Sequence, residues 1–426
     1  MGSESATHSL GEQYREVRAT TSRLREPLSE EDCTVQSMED ASPAKWHLAH
    51  TSWFFETFVL EAIDPNYRCF HPEFRVLFNS YYNSVGDQHP RPRRGLLSRP
   101  PLHDVLRYRE HVDEQMMHLL DPRRNEPLPA GIADVIELGL HHEQQHQELI
   151  LTDAKHMLSC NPLRPAYHRD LPSTAPAEVK PLRWHWREAG TRWIGHEGSD
   201  FSFDNERPRH RVFLDSFEFA SRPVVNGEYL AFMEDGGYQR PELWLSDGRA
   251  TSLDKDWNAP LYWEKRDGVW MVMTLAGLRK LRLDEPVCHV SYFEADAYAT
   301  WVCARLPNEA EWEVMASEVP EVEGNFIENG LLHPVPTPAG DPESGPAQLF
   351  GDVWEWTQSA YGSYPGFSPP EGALGEYNGK FMCSQMVLRG GSCATPRSHI
   401  RATYRNFFYP ASRWQFSGIR LARDGR

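Results

Sequence analysis

The eight residues His141-His-Glu-Gln-Gln-His-Gln-Glu148 lie inside an apolar-periodic stretch running from Gly131 to Ser159, and they limit what this chain can build. At 3.6 residues per turn, Val135, Leu138, His142, Gln145/His146, Leu149 and Asp153 share one helix face. That face begins apolar and then carries two imidazoles one turn apart. Side chains at i and i+4 stack over each other, so His142 and His146 can turn nitrogens toward one metal ion. A lone buried histidine is commonly a satisfied core residue. A pair at this spacing, beside a glutamine and a carboxylate, suits a metal site.

Three further principal helices and one shorter one are expected before it. Residues 9–28 contain one, ending near Pro27. Ser42-Pro43 starts the next, with serine as N-cap and proline at the first helical position. In that helix Trp46, His50, Trp53 and Thr57 form one line, and His47, Thr51, Phe54 and Phe58 form the adjoining one. Each line holds one histidine, so helical geometry does not choose between His47 and His50. A shorter helix is expected over 71–85, then an irregular basic loop shaped by its prolines, then a helix from Ser98 to Leu120. Four principal helices make a bundle, whose core can collect ligands from facing helices.

The proline-dense stretch Asn161 to Lys180 reads as a connection, and from Leu182 the texture changes. Short alternating runs broken by glycine, proline and asparagine predict an α+β domain with little regular structure and much loop. Helical pieces are expected at Asn226 to Glu234, at Tyr292 to Ala304 and after Pro307. Glu309, Glu311, Asp352 and Glu355 are expected to pair with arginines. The boundaries are then 1–170 for the bundle, 171–183 for the connection and 184–426 for the second domain, which suits a chain of 426 residues.

A formal charge of -17 with no concentrated basic stripe argues against nucleic acid. The arginines between Arg91 and Arg99 sit among prolines, as in an anion pocket or a loop clamp. No run of eighteen apolar residues occurs and the N-terminus lacks signal-peptide order, so neither a membrane span nor secretion is expected and the cytoplasm is the default. The seven cysteines include no CxxC pair. Cys383 and Cys393 could pair, but in a reducing compartment both are read as thiols.

His142-Glu-x-x-His146 is formally the zincin pattern with Glu143 as base, but the third ligand such enzymes carry downstream is missing; Glu148 and Asp153 are the remaining candidates. An imidazole from His47 or His50 would instead complete a three-histidine site, suited by ligand type to Fe(II), zinc or copper. Tyr81 and Tyr82, near a turn of the same domain, can supply a proton or hydrogen atom to oxygen chemistry, or simply pack. Arg91 and Arg94 can grip a substrate carboxylate through the guanidinium fork, or form surface pairs. Near the C-terminus Asn406, Phe407, Phe408, Trp414 and Gln415 crowd aromatic rings with amides, a wall that attracts a quaternary ammonium ion.

Trp46-His-Leu-Ala-His50 and His142-Glu-Gln-Gln-His146, followed by Asn308-Glu-Ala-Glu-Trp, Gly351-Asp-Val-Trp-Glu-Trp, Leu388-Arg-Gly-Gly-Ser and Gly418-Ile-Arg, resemble the ergothioneine-biosynthesis sulfoxide synthases over nearly the whole chain. The resemblance implies a DinB-like four-helix bundle joined to a domain of the formylglycine-generating-enzyme (FGE-sulfatase) type, α+β and C-type-lectin-like. It implies a non-haem Fe(II) enzyme that uses O2 to join cysteine, or γ-glutamylcysteine, to hercynine as a sulfoxide. Carried over by motif, the metal ligands are His50, His142 and His146. Gln145 would hold the substrate imidazole, Asn406, Phe407 and Phe408 the trimethylammonium group, and Arg91 and Arg94 the thiol substrate's carboxylate. The tyrosine varies within the family, and some members take it from the C-terminal domain. Ser80-Tyr-Tyr-Asn resembles the branch using an adjacent pair, which points to Tyr82 with Tyr81 in support. Trp414-Gln415-Phe departs from the Trp-Asp-Phe of enzymes that use γ-glutamylcysteine and favours free cysteine. Formylglycine-generating activity is not implied, because Cys393 lacks its partner cysteine. The alternatives are a cysteine–histidine sulfoxide synthase of the ovothiol type, a zinc-dependent DinB-like thiol transferase and a non-catalytic binding protein.

Overall fold

A computed structural model of the chain describes residues 9–124, 126–338 and 345–425. Two units separate: Met1–Cys160 together with Glu371–Tyr377, and Asn161–Pro370 together with Asn378–Arg426. No helix among the described residues is long and apolar enough to cross a membrane.

The first unit is built on four helices, α1 (Leu10–Arg25), α2 (Ala44–Phe55), α3 (Leu102–Leu119) and α4 (Ile132–Cys160). Ser9 starts α1 through a reciprocal box: its hydroxyl accepts the Glu12 N–H while the Glu12 carboxylate accepts the Ser9 N–H. Prolines 100 and 101 delay α3 to Leu102, four residues inside the expected start at Ser98. α2 is buried at every position, with Trp53, Phe54 and Phe55 fully enclosed, and each ring contributes about 2 kcal/mol through burial. The close approach of α4 to α2 requires Gly139: a Cβ there would meet Phe55 Cε1 at 2.5 Å and Phe54 Cε1 at 2.9 Å.

Two local expectations fail for identifiable reasons. Ser42 does not cap α2, because its hydroxyl accepts from Arg94 (2.9 Å) and its N–H donates to Asp153 (2.8 Å); Pro43 takes the cap position. The helix expected over 71–85 contracts to Phe74–Leu77. Beyond it the Asn79 side chain competes for the backbone, donating to the carbonyls of Tyr82 (3.0 Å) and Gly86 (3.2 Å) and accepting the Tyr82 N–H (3.1 Å). The basic loop is more regular than expected, with a 3-10 helix over Arg91–Leu96. After Phe55 the chain passes into a π-helical turn, Glu56–Leu60, where the Glu56 carboxylate is drawn to the hydroxyls of Tyr108 (2.6 Å) and Tyr67 (3.0 Å).

The second unit is α+β with short strands. Its central four-stranded sheet runs in the order Asn406–Phe408, Met386–Arg389, Trp354–Ala360, Ser417–Gly418, and a three-stranded sheet pairs Trp184–Arg187, Phe217–Ala220 and Ala422–Asp424. Helices cover Asn226–Glu234, Tyr292–Trp301 and Glu309–Ser317. Buried and half-buried ion pairs stitch it together: Arg420 on Glu355 (2.7 Å), Arg305 on Glu311 (2.7 Å) and Arg405 on Glu309 (2.8 Å). Asp352 departs from the expected arginine pairing. Its carboxylate accepts from the amides of Asn325 (2.8 Å) and Gln348 (2.8 Å) and from the Val335 N–H (2.9 Å). Cys383 and Cys393 form no disulfide with each other.

Candidate metal centre

α2 and α4 bring His50, His142 and His146 together, all buried, with one donor nitrogen from each within 4.8 Å of the others. The His50 ring is held between the indoles of Trp46 and Trp53, stacked at centroid distances of 4.6 and 5.5 Å. Its Nδ1 lies 2.6 Å from the Phe78 carbonyl, which can only accept, so the proton is on Nδ1 and Nε2 keeps a lone pair. That Nε2 is buried and has no hydrogen-bond partner. Nε2 of His146 and Nε2 of His142 lie 3.1 Å apart. Burial lowers all three imidazoles below the ordinary histidine range; His142 falls to about 3, with His47 acting in the same sense and the Glu143 charge opposing. Neutral imidazoles closing on one point in an apolar shell are a donor set that a divalent transition metal fits.

His47 lies on the same helix but turns elsewhere. Its Nδ1 meets Nδ1 of His146 at 2.7 Å and its Nε2 meets Asp153 at 3.1 Å. Asp153 Oδ2 is thereby committed to His47 and to the Ser42 N–H, while its buried Oδ1 has no hydrogen-bond partner among the described residues.

Glu143 is not placed as a zincin base. Residues one apart on a helix project about 100° apart, and Glu143 points away from His142, into the seam with α1 and α3. There it accepts from Arg18 Nη1 (2.9 Å) and Arg109 Nη2 (2.5 Å) and is fully enclosed. Burial alone would raise its carboxyl, but Arg109 and Arg18 overcome that and hold it at about 2.

Arg94 is buried, its guanidinium 3.3 Å from the Trp46 ring centre, and donates to the hydroxyls of Ser42 (2.9 Å) and Ser80 (3.0 Å). No carboxylate pairs with it among the described residues, and burial depresses its pKa well below the arginine range. Burying a guanidinium without a charged partner is costly, and an anion beside it would offset that cost. Arg91 is exposed and donates to the Asp40 carbonyl.

Tyr82 is fully buried, 5.6 Å from the Trp53 ring and stacked on Tyr81 at 4.7 Å. A second tyrosine comes from far along the sequence. The segment 371–377 belongs to the first unit, held where the Glu376 carboxylate accepts the N–H groups of Asn83 (3.0 Å) and Ser84 (2.9 Å) and the Ser84 hydroxyl (2.6 Å). It lays the Tyr377 ring edge-on to His142 at 5.7 Å, with the hydroxyl donating to the Gln145 carbonyl oxygen.

In the second unit Asn406–Phe408 forms a strand of the central sheet. Phe407 stacks on Tyr361 at 4.0 Å, and Phe408 meets Trp414 edge-on at 5.7 Å. Trp414 Nε1 and Gln415 Nε2 are buried donors without a hydrogen-bond partner. Such groups are normally satisfied, so two neighbouring ones mark a place for a polar ligand or water.

Residues 13–150 match the DinB superfamily, and residues 184–330 and 328–425 match the sulfatase-modifying factor enzyme 1-like domain. The hercynine oxygenase of Mycolicibacterium thermoresistibile is 32% identical over 97% of this chain and 94% of its own length. That of Mycobacterium tuberculosis is 33% identical over 96% of this chain and 97% of its own. The chain belongs to the hercynine oxygenase family. Ergothioneine biosynthesis protein 1 of Schizosaccharomyces pombe is 28% identical over 60% of this chain and 33% of that protein.

Within this hercynine oxygenase family member, sequence reasoning did not single out Tyr377. Glu371-Gly-Ala-Leu-Gly-Glu-Tyr377 has no periodicity and no motif, and only the variability of the tyrosine among resembling enzymes hinted at a residue of this kind. In the sequence His47 reads as a candidate ligand and not as the partner of one.

Proposed function

We propose that this chain is an Fe(II)- and O2-dependent sulfoxide synthase that joins the sulfur of cysteine to the imidazole of hercynine in ergothioneine biosynthesis. Its full-length kinship to proteins named hercynine oxygenase supports the reaction. The observation that carries the metal assignment is the convergence of His50, His142 and His146 within 4.8 Å. The balance is self-contained: thiol and imidazole C–H each give up a hydrogen, one oxygen atom of O2 ends on sulfur and the other leaves as water. Bound iron would supply O2 activation and the redox step.

The chain's own residues position and protonate. Arg94 binds the carboxylate of the thiol substrate, with Arg91 at the outer end of the same loop, and the Trp46 ring keeps the guanidinium flat beneath it. Gln145 orients the hercynine imidazole once Tyr377 releases its carbonyl oxygen. The aromatic and amide groups of Asn406, Phe407 and Phe408 receive the trimethylammonium group, and Gln415, beside Trp414 and neutral where a carboxylate would attract the glutamyl α-amino group of γ-glutamylcysteine, favours free cysteine. Tyr377 holds a transferable proton beside His142. Tyr82 with Tyr81 forms the next ring pair outward. Enclosure by Trp46, Trp53 and Phe54 excludes water from the imidazoles.

The test is anaerobic loading with Fe(II), followed by O2 uptake and product mass with cysteine or γ-glutamylcysteine, each paired with hercynine or histidine. Cysteine with hercynine should be the best pair and yield one sulfoxide per O2. Undiminished turnover after rigorous iron removal, or a preference for histidine, would overturn the reading.

A further inference from the structure

Behind the three histidines lies a buried chain of hydrogen bonds that fixes where one proton sits. Asp153 Oδ2 accepts the Ser42 N–H at 2.8 Å and lies 3.1 Å from His47 Nε2. His47 Nδ1 lies 2.7 Å from His146 Nδ1. Asp153, His47 and His146 are 5%, 2% and 8% exposed, so water does not compete for these positions.

The donor at each step follows from the acceptor. An ionised carboxylate only accepts, so the His47 proton is on Nε2. A neutral imidazole protonated there has a lone pair on Nδ1, so His146 donates from its own Nδ1. His146 is thereby left with a bare Nε2, the nitrogen that faces His142 at 3.1 Å. For His50 the same result comes from a single carbonyl, that of Phe78. The second nitrogen of a ligand histidine commonly donates directly to a carboxylate, a backbone carbonyl or water; here a whole imidazole is interposed between carboxylate and ligand.

We infer that His47 and Asp153 are positioning residues that set the tautomer of His146 and hold its Nε2 on the metal. The inference rests on the reading of His50, His142 and His146 as metal ligands. Both nitrogens of His47 are engaged, which explains how a histidine one turn before His50 can be buried at the centre without being a ligand. Trp46-His-Leu-Ala-His50 therefore contributes one ligand and one orienting group.

The test separates shape from proton placement. His47→Phe keeps a flat ring but neither accepts nor donates. His47→Gln fills less of the space, but its amide can donate to Asp153 and accept from His146 at once. Full-length wild type and both variants are titrated with Co(II) alone, following the visible absorption bands and a competing chelator, with thermal melts as the check on folding. The phenylalanine variant should bind Co(II) about 10- to 100-fold more weakly with altered bands, and the glutamine variant should recover most of that loss. A phenylalanine variant that binds like wild type, or a glutamine variant no better than phenylalanine, overturns the inference. Should His47→Phe not fold, Asp153→Ala takes its place with the same loss expected, and binding like wild type would again overturn it. A His142→Ala protein that still binds Co(II) at full strength would instead overturn the three-histidine reading, a separate and recognisable failure.

Discussion

Glu143 offers the sharpest check on how the first unit is held together. It joins three helices: α4 carries the carboxylate, α1 supplies Arg18 and α3 supplies Arg109. In Glu143→Gln the side chain keeps its shape and loses its charge. Arg18 retains Asp113 at 2.6 Å, but Arg109 is left with the Thr51 hydroxyl and the Arg18 carbonyl. A carboxyl held at about 2 rather than the ordinary 4.5 contributes about 3 kcal/mol to folding at neutral pH, matching the usual cost of about 3–5 kcal/mol for breaking a buried pair. Because the folded value is depressed, that contribution is complete above about 4.5 and vanishes as pH falls toward about 2. Urea unfolding followed by far-UV circular dichroism, which reports mainly on the helical unit, is the assay. With a slope of about 2 kcal/mol/M, the midpoint at pH 7 should fall by about 1.5 M. A zincin-type base predicts the opposite pattern, unchanged stability with lost activity. A Glu143→Gln protein unfolding with wild type would refute the structural account.

Gly139→Ala should cost about 1–3 kcal/mol and lower the bound metal per chain, because its Cβ would meet Phe54 and Phe55, both fully buried, at 2.5–2.9 Å; melting and metal analysis read both effects. Asp352 should make the second unit less stable as pH rises. Burial raises its carboxyl from 3.8 to about 6, against the hydrogen bonds of Asn325, Val335 and Gln348, so its stabilising neutral form is complete below about 4 and lost through about 6. Relative to Asp352→Asn, wild type should lose about 3 kcal/mol between pH 4 and pH 7 in melts across that range. Tyr377→Phe should lower the yield of sulfoxide per O2 consumed at least tenfold while thiol-dependent O2 uptake persists, whereas Tyr82→Phe should change the yield less; product mass beside O2 consumption decides between them.

The parts of this molecule legible in its sequence are those governed by short-range geometry. The i, i+4 spacing of His142 and His146 requires only a helix, and the apolar stripe around them supplies one. Helical geometry does not choose between His47 and His50, which are one turn apart, and only the family motif points to His50. What separates them is the Phe78 carbonyl behind one and Asp153 behind the other, both distant in sequence. The face opposite the histidines was equally hidden, because nothing near Glu143 announces Arg18 or Arg109. The aromatic run at 74–82 has helical spacing, yet Asn79 turns the backbone aside with its own amide. In the second unit paired arginines were legible as a type, while the amide cradle of Asp352 depends on residues the sheet brings together.

The placement of residues 371–377 within the first unit bears on how the chain is made. The three imidazoles are all in the chain once residue 146 is added, whereas Tyr377 follows only after most of the remaining chain. A nascent chain can thus assemble the histidine pocket before the Tyr377 ring is there to pack against His142. A truncated clone ending at Cys160 would reproduce that immature state and not the finished first unit.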